Sequence, residues 1–78
     1  MRSDVINIDP EILGGTPVFR GTRVPIQSLF DWLESGISLD EFLDQFPSVS
    51  RDQAVALLGM AEEILTSDKL EAVYETIA

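Results

Sequence analysis

Two helix-start signals in the middle of the chain constrain the fold more than any other feature of the sequence. In each signal a serine is followed three residues later by Glu or Gln, as Ser38 with Glu41 and Ser50 with Gln53. In this capping-box pattern, the hydroxyl and the later side chain each satisfy a backbone N–H that the first helical turn leaves unpaired. Pro47 lies between the two signals and prevents one continuous helix. The sequence therefore predicts two short helices joined by a tight turn.

A further helix is predicted before this pair, with Pro25 at its first position and Gly36 as its C-terminal cap. Apolar residues recur in all three segments at the spacing that places them on one helical face. They are Ile26, Leu29, Phe30 and Leu33 in the first, Leu39, Phe42, Leu43 and Phe46 in the second, and Ala54, Leu57, Leu58, Ala61 and Leu65 in the third. Three such helices predict a helix-turn-helix core.

Short β segments are predicted before the helices. Residues 5–8 form a strand candidate with Ile6 and Ile8 on one face, and residues 17–19 form a second. Gly21 suits a turn that leads the second strand back through residues 23 and 24. Strands this short can pair within one chain or between two.

Between these strands, Pro10 can open a single helical turn over residues 11–13, and Gly14 with Gly15 then permits a sharp change of direction. At the other end of the chain, residues 66–68 interrupt the helical pattern. The pattern then resumes on an apolar face made of Leu70, Val73, Tyr74 and Ile77. This face predicts a C-terminal helix, which either folds back on the core or docks on another subunit or partner.

The whole chain is predicted to be one mainly α domain, because its 78 residues are too few for a second core. Residues 1–24 form the N-terminal β element and turn, residues 25–65 the helix-turn-helix core, and residues 66–78 the C-terminal helix.

The residue types that are missing argue against an enzyme. The sequence has neither His nor Cys, which removes the usual neutral-pH base, thiolate metal ligands and His-dependent triads. Asp40, Glu41 and Asp44 could hold Mg²⁺ in principle, but acids in a first helical turn are explained by the helix dipole. We therefore expect a non-catalytic protein with no cofactor and no metal.

Charge is distributed unevenly along the chain. Fourteen acids face five bases, and the resulting net charge of −9 falls entirely after Val24. This favours basic partners and opposes phosphate backbones. The sequence has no apolar run of membrane-spanning length and no signal peptide pattern at its start, so we expect a cytoplasmic protein without membrane contact.

The candidate contacts to nucleic acid are Arg20, Arg23, Arg51 and Gln53. Arg20 and Arg23 can present bidentate forks to phosphate or to a partner's carboxylates, although Arg23 is expected to pair with an acid of this chain, for instance at the end of the first helix. The exposed line of the third helix is predicted to be Asp52, Ala56, Gly59 and Glu63. Its two acids would meet phosphates with repulsion, which weighs against DNA binding through that helix.

Several of these residues together resemble a known family. From Ile8 to about Glu63, the chain is similar to the bacterial and archaeal family called domain of unknown function 433. The resemblance rests on Gly15-Thr16-Pro17, on Arg20-Gly21-Thr22-Arg23-Val24-Pro25, on Gly36 with Ser38, and on Phe46-Pro47. It implies a winged-helix-like fold and a role as the antitoxin of a VapBC-like pair, whose partner would be a PIN-like ribonuclease.

Three functional hypotheses follow. The leading one is an antitoxin-like homodimer that binds a basic PIN-like toxin through Leu70, Val73, Tyr74 and Ile77 and contacts DNA, where it does so, only in complex with that toxin. The second is a helix-turn-helix transcriptional regulator that uses its arginines on phosphates. The third is a structural homodimer that binds neither.

Overall fold

The structure is a computed structural model that describes residues 4–67, Glu71 and Glu75, and it is mainly helical. Its elements in chain order are β1 (Ile6–Asn7), a 3₁₀ turn (Leu13–Gly15), β2 (Val18–Phe19), α1 (Ile26–Glu34), α2 (Leu39–Gln45) and α3 (Arg51–Thr66). The predicted fold class, three helices with a short N-terminal β element, is confirmed. Of the predicted C-terminal helix, Glu71 and Glu75 are helical and exposed. Its apolar face, Leu70, Val73, Tyr74 and Ile77, lies outside the described residues.

The ends of α1 follow the predicted chemistry with one shift. Pro25 is the N-cap, with extended backbone, so the helix begins one residue later than predicted. At the other end Gly36 has a φ of +85°. Its N–H donates to the Leu33 carbonyl at 3.0 Å, and the Ile37 N–H donates to the Trp32 carbonyl at 3.0 Å. This is a Schellman motif, and it depends on a glycine that tolerates the left-handed conformation.

The two predicted capping boxes differ in the structure. At the start of α3 the box is complete, because the Gln53 N–H donates to the Ser50 hydroxyl and the Ser50 N–H donates to Gln53 Oε1, both at 3.0 Å. At the start of α2 the Glu41 N–H donates to the Ser38 hydroxyl at 3.1 Å. Among the described residues no bond returns from the Glu41 side chain to Ser38, so this box is only half formed.

The two strands pair antiparallel within one chain, with Ile6 opposite Phe19 and Asn7 opposite Val18. The first strand is shorter than predicted, because the chain turns away after Asn7, and Ile8 is 65% exposed. Ile6 is half-buried whereas Ile8 is exposed, so the face predicted to hold both residues is not buried as a unit. Val5, immediately before the strand, is in the core instead.

The connections on either side of β2 also depart slightly from expectation. The helical turn predicted over residues 11–13 lies at Leu13–Gly15 instead, with Gly14 out of helical conformation. The predicted turn after β2 is present, since Gly21 has a φ of +80° and the Thr22 N–H donates to the Phe19 carbonyl at 3.0 Å. Its return limb pairs only as an isolated bridge between Val18 and Pro25.

An aromatic cluster forms the centre of the core. Phe42 is fully buried, and its ring lies 4.8 Å from that of Phe46, 5.8 Å from that of Trp32 and 6.5 Å from that of Phe19. Edge-to-face and tilted ring pairs of this kind add to the free energy of burial. Around them the buried cluster includes Val5, Leu29, Val49, Ala54 and Leu57. The sheet, α1, α2 and the first half of α3 thus share one core.

The end of α3 extends beyond the last of its residues that pack against this core, Met60. Ala54 and Leu57 are buried, but Leu65, predicted to continue the buried stripe, is 51% exposed. Length explains the difference, because α3 has 16 residues whereas α1 has nine and α2 has seven. At about 1.5 Å per residue, the shorter helices cannot cover its far end. The helix also includes Thr66, so the predicted break begins at Ser67. None of the helices in the described part of the chain is long and apolar enough to cross a membrane.

Candidate interaction surfaces

The turn after β2, residues 20–23, carries two arginines and is called here the basic turn. The Arg20 N–H donates to the Val5 carbonyl at 2.9 Å, and its guanidinium Nη2 donates to the Ile6 carbonyl at 3.2 Å. The Thr22 hydroxyl donates to the Phe19 carbonyl at 2.7 Å and accepts the Val24 N–H at 3.0 Å. These bonds fix the backbone of the turn against the sheet.

Arg23 presents its charge to solvent from this turn. Its side chain is exposed, and within the described residues its guanidinium forms no ion pair and no hydrogen bond. The expected ion pair with an acid at the end of α1 is therefore wrong for this part of the chain. Because hydrogen bonds hold the backbone of the turn, the Cα position of Arg23 is defined and only its side chain is free to move in solvent.

Gln53 connects the basic turn to the start of α3. Its Nε2 donates to the Arg20 carbonyl at 2.9 Å, while its Oε1 accepts the Ser50 N–H. Both polar atoms of this amide, predicted as a nucleic-acid contact, therefore bind within the protein. A partner 33 residues away in sequence leaves no local pattern, which is why the sequence did not reveal this connection.

Arg51 is held by an ion pair. Its guanidinium Nη2 contacts Asp40 Oδ1, which joins the first turn of α3 to the first turn of α2. Both side chains remain largely exposed. Arg51 is one of the three arginines predicted to contact nucleic acid. Its positive charge is instead compensated by the Asp40 carboxylate of α2.

The outward face of α3 is rotated from the predicted line. Ala56 is partly buried, whereas Val55 is 52% exposed and Glu62 is exposed. The observed outer face is Asp52, Val55, Gly59, Glu62 and Glu63. A shallow hollow of about 370 Å³ lies on its first two turns and is lined by Arg51, Asp52, Val55 and Ala56. The sequence pattern missed the exposed valine because its apolar spacing admits more than one helical face.

The far end of α3 combines acids with an uncovered apolar side chain. Glu62 and Glu63 are exposed next to the half-exposed Leu65, and the helical Glu71 and Glu75 beyond them are exposed as well. This surface, Glu62 to Leu65, is called here the acidic arm. Across residues 4–67 with Glu71 and Glu75, no three acidic side chains converge as a metal site requires.

The fold and these surfaces define a small, mainly helical domain with a two-stranded sheet and separate basic and acidic surfaces. The chain belongs to the family described as "Protein of unknown function (DUF433)", whose model matches residues 6–61. It is 38% identical over 50 residues to "Uncharacterized protein y4eO" of Sinorhizobium fredii (strain NBRC 101917 / NGR234). That alignment covers 64% of this chain and 23% of the relative, so the chain matches about a quarter of that protein's length. No solved structure matches the chain.

Proposed function

We propose that this chain is an antitoxin-like, non-catalytic module that binds and neutralises a basic PIN-like ribonuclease. The observation that carries the proposal is the acidic arm, where α3 leaves its own core and holds Leu65 half exposed beside Glu62 and Glu63. Protein partners bind such surfaces by burying the apolar side chain and pairing the surrounding charge.

The energetics favour a protein partner at this end of the helix. Complete burial of a leucine contributes about 1.5–3 kcal/mol, and within the chain Leu65 gains only part of this. A nuclease that grips RNA carries positive charge near its active site, which the net charge of −9 on this chain complements. We propose that Leu70, Val73, Tyr74 and Ile77 extend the same contact along the chain.

The test is capture of the partner from native cells at about 150 mM salt, where surface charges are realistically screened. Wild-type protein is expected to retain a PIN-like ribonuclease and to suppress its RNA cleavage. Leu65→Asp, and separately Leu70→Asp with Tyr74→Asp, are expected to abolish both effects. Ile8→Asp is the matched control, because Ile8 is an exposed apolar residue in the sheet region outside the arm.

Circular dichroism of the Leu65→Asp and Ile8→Asp variants should match that of the wild type, because both side chains are exposed and lie outside the buried cluster. The same measurement on the variant with Leu70→Asp and Tyr74→Asp checks that its core remains folded. Retention of the nuclease by all of the arm variants, or the absence of any ribonuclease among the captured proteins, would contradict the proposal.

A second candidate function is DNA binding at an operator, favoured by the Gln53 connection, which holds the basic turn beside the start of α3. In this proposal Arg20 and Arg23 contact phosphates, and Arg51 joins them only by leaving Asp40. The slope of log affinity against log salt should fall by about 0.9 when Arg23 becomes Ala. Gln27→Ala serves as a control on an exposed neutral residue of α1. A slope near zero for the wild-type protein would reject this candidate.

A further inference from the structure

We propose that the hollow on the first two turns of α3 binds an arginine side chain of a protein partner. This inference rests on the proposed function, since it names the side chain through which a basic partner is recognised. It places a second contact at the opposite end of α3 from the acidic arm.

The lining of the hollow has the chemistry that an arginine side chain requires. Val55, 52% exposed, and Ala56 form an apolar wall, and Asp52 lies one turn before them at the i, i+3 and i+4 spacing that brings side chains together. The methylene stem of an arginine can cover the two apolar residues while its guanidinium pairs with the carboxylate. The hollow is open and shallow, which suits a long side chain entering from outside.

The charge of the lining favours a cation over an anion. Arg51 is already paired with Asp40, so its charge is compensated, and the carboxylate of Asp52 forms no ion pair within the described residues. Arg51 and Asp52 of the lining, together with Asp40, which pairs with Arg51, carry a net charge of −1. Glu62 and Glu63 lie further along the same outer face. A phosphate or nucleic acid strand would be repelled there. Arginine is favoured over lysine because its planar guanidinium can bind a carboxylate through two hydrogen bonds and is less strongly hydrated.

Val55 is available for contact with a partner. Val55 lies outside the buried cluster, on the outer face of a helix where straight-chain polar residues have higher helix propensity. An exposed apolar residue beside an acid can bind an arginine side chain, through its methylene stem and its charge.

The test uses the ¹⁵N-labelled 78-residue chain and two small probes, N-acetyl-arginine methylamide and its neutral isostere N-acetyl-citrulline methylamide. In a two-dimensional NMR titration at low millimolar salt, the arginine probe should shift amides of residues 51–56 most, and citrulline should leave them nearly unchanged. Asp52→Asn should weaken the apparent affinity about two- to fivefold, in line with exposed ion pairs. Glu63→Gln is the matched control and should keep the wild-type affinity.

The proposal is overturned if both probes shift the same amides equally, if arginine shifts are spread evenly over all acidic surfaces, or if Asp52→Asn has no effect. The proposal is also overturned if duplex DNA, titrated in parallel, shifts the amides of residues 51–56 more than the arginine probe does. No partner protein is present in this test, so its failure leaves the acidic-arm proposal intact. Retention of the nuclease by the Leu65→Asp variant, in turn, would contradict the acidic-arm proposal and would leave the arginine titration result unchanged.

Discussion

The two halves of α3 belong to one helix but have opposite relations to the rest of the protein. In the first half, the Gln53 bond to the basic turn and the Arg51 ion pair join the helix to its neighbours. The capping box closes the N-terminus of the helix, and Ala54 and Leu57 are buried. In the second half, Glu62, Glu63 and Leu65 are exposed. The helix continues to Thr66 although Leu65 near its end is half exposed, so the length of a helix does not depend on burial of every turn. A helix can propagate by its own backbone bonds past the point where tertiary contacts end.

The two halves of α3 therefore have different roles, the first in stability and the second in binding. Residues of the first half determine where α3 sits relative to the sheet and α2, so their substitution should change stability. In the second half, Met60 is partly buried against the core, whereas Glu62, Glu63 and Leu65 are exposed. Substitution of these three exposed residues should change binding and leave stability nearly unchanged. The outer face of the first half is an exception, because the hollow lies there beside the anchoring contacts.

The largest difference between the two halves of α3 is expected when leucine is replaced by alanine in each of them. Leu57→Ala removes a leucine that is 4% exposed and should cost about 2–5 kcal/mol, because a cavity remains in the core. Leu65→Ala, two helical turns later, should cost less than about 0.5 kcal/mol, as surface substitutions do. Urea unfolding followed by circular dichroism measures both. Equal losses at the two positions would show that the second half is packed after all.

Removal of the Gln53 side chain should have an intermediate effect. Gln53→Ala takes away one half of the capping box and the bond to the Arg20 carbonyl, and it should cost about 1–2 kcal/mol in the free energy of unfolding. The matched control is Gln27→Ala, an exposed glutamine on α1, expected to stay within about 0.5 kcal/mol of the wild type. If the two variants unfolded at the same urea concentration, the result would contradict a role for Gln53 in anchoring α3.

The smallest effect is expected at the ion pair. Arg51→Ala should cost less than about 1 kcal/mol, because the guanidinium and the Asp40 carboxylate are largely exposed. The cost should shrink as salt is added, since screening weakens exposed pairs. Arg23→Ala removes an arginine without a described partner and should show no such salt-dependent loss. A larger, salt-independent loss for Arg51→Ala would indicate that its methylenes, and not its charge, hold the helix.

Local chemistry allowed much of the fold to be predicted. The helix starts at Ser38 and Ser50, the cap at Gly36 and the turn at Gly21 are all present, because each depends on residues within a few positions of one another. The ends of an element differ from prediction where tertiary pairing determines them. Strand β1, for example, covers Ile6–Asn7 because it pairs only with the two residues of β2. Of the candidate site, the turn that carries Arg20 and Arg23 could be predicted from the sequence. That Arg23 has no ion-pair partner among the described residues could not be predicted, because an ion pair depends on which acids the fold brings near.

The sequence by itself determined the three helices, their order and their caps, and the concentration of negative charge after Val24. These follow from spacing and composition, which act over one or two helical turns. Only the tertiary structure decided which part of α3 is buried, where Gln53 donates, which acid holds Arg51, and that Val55 faces outward beside Asp52. The reason is physical: burial and long-range hydrogen bonds depend on helix lengths and packing angles, which join residues distant in sequence and leave no period in it.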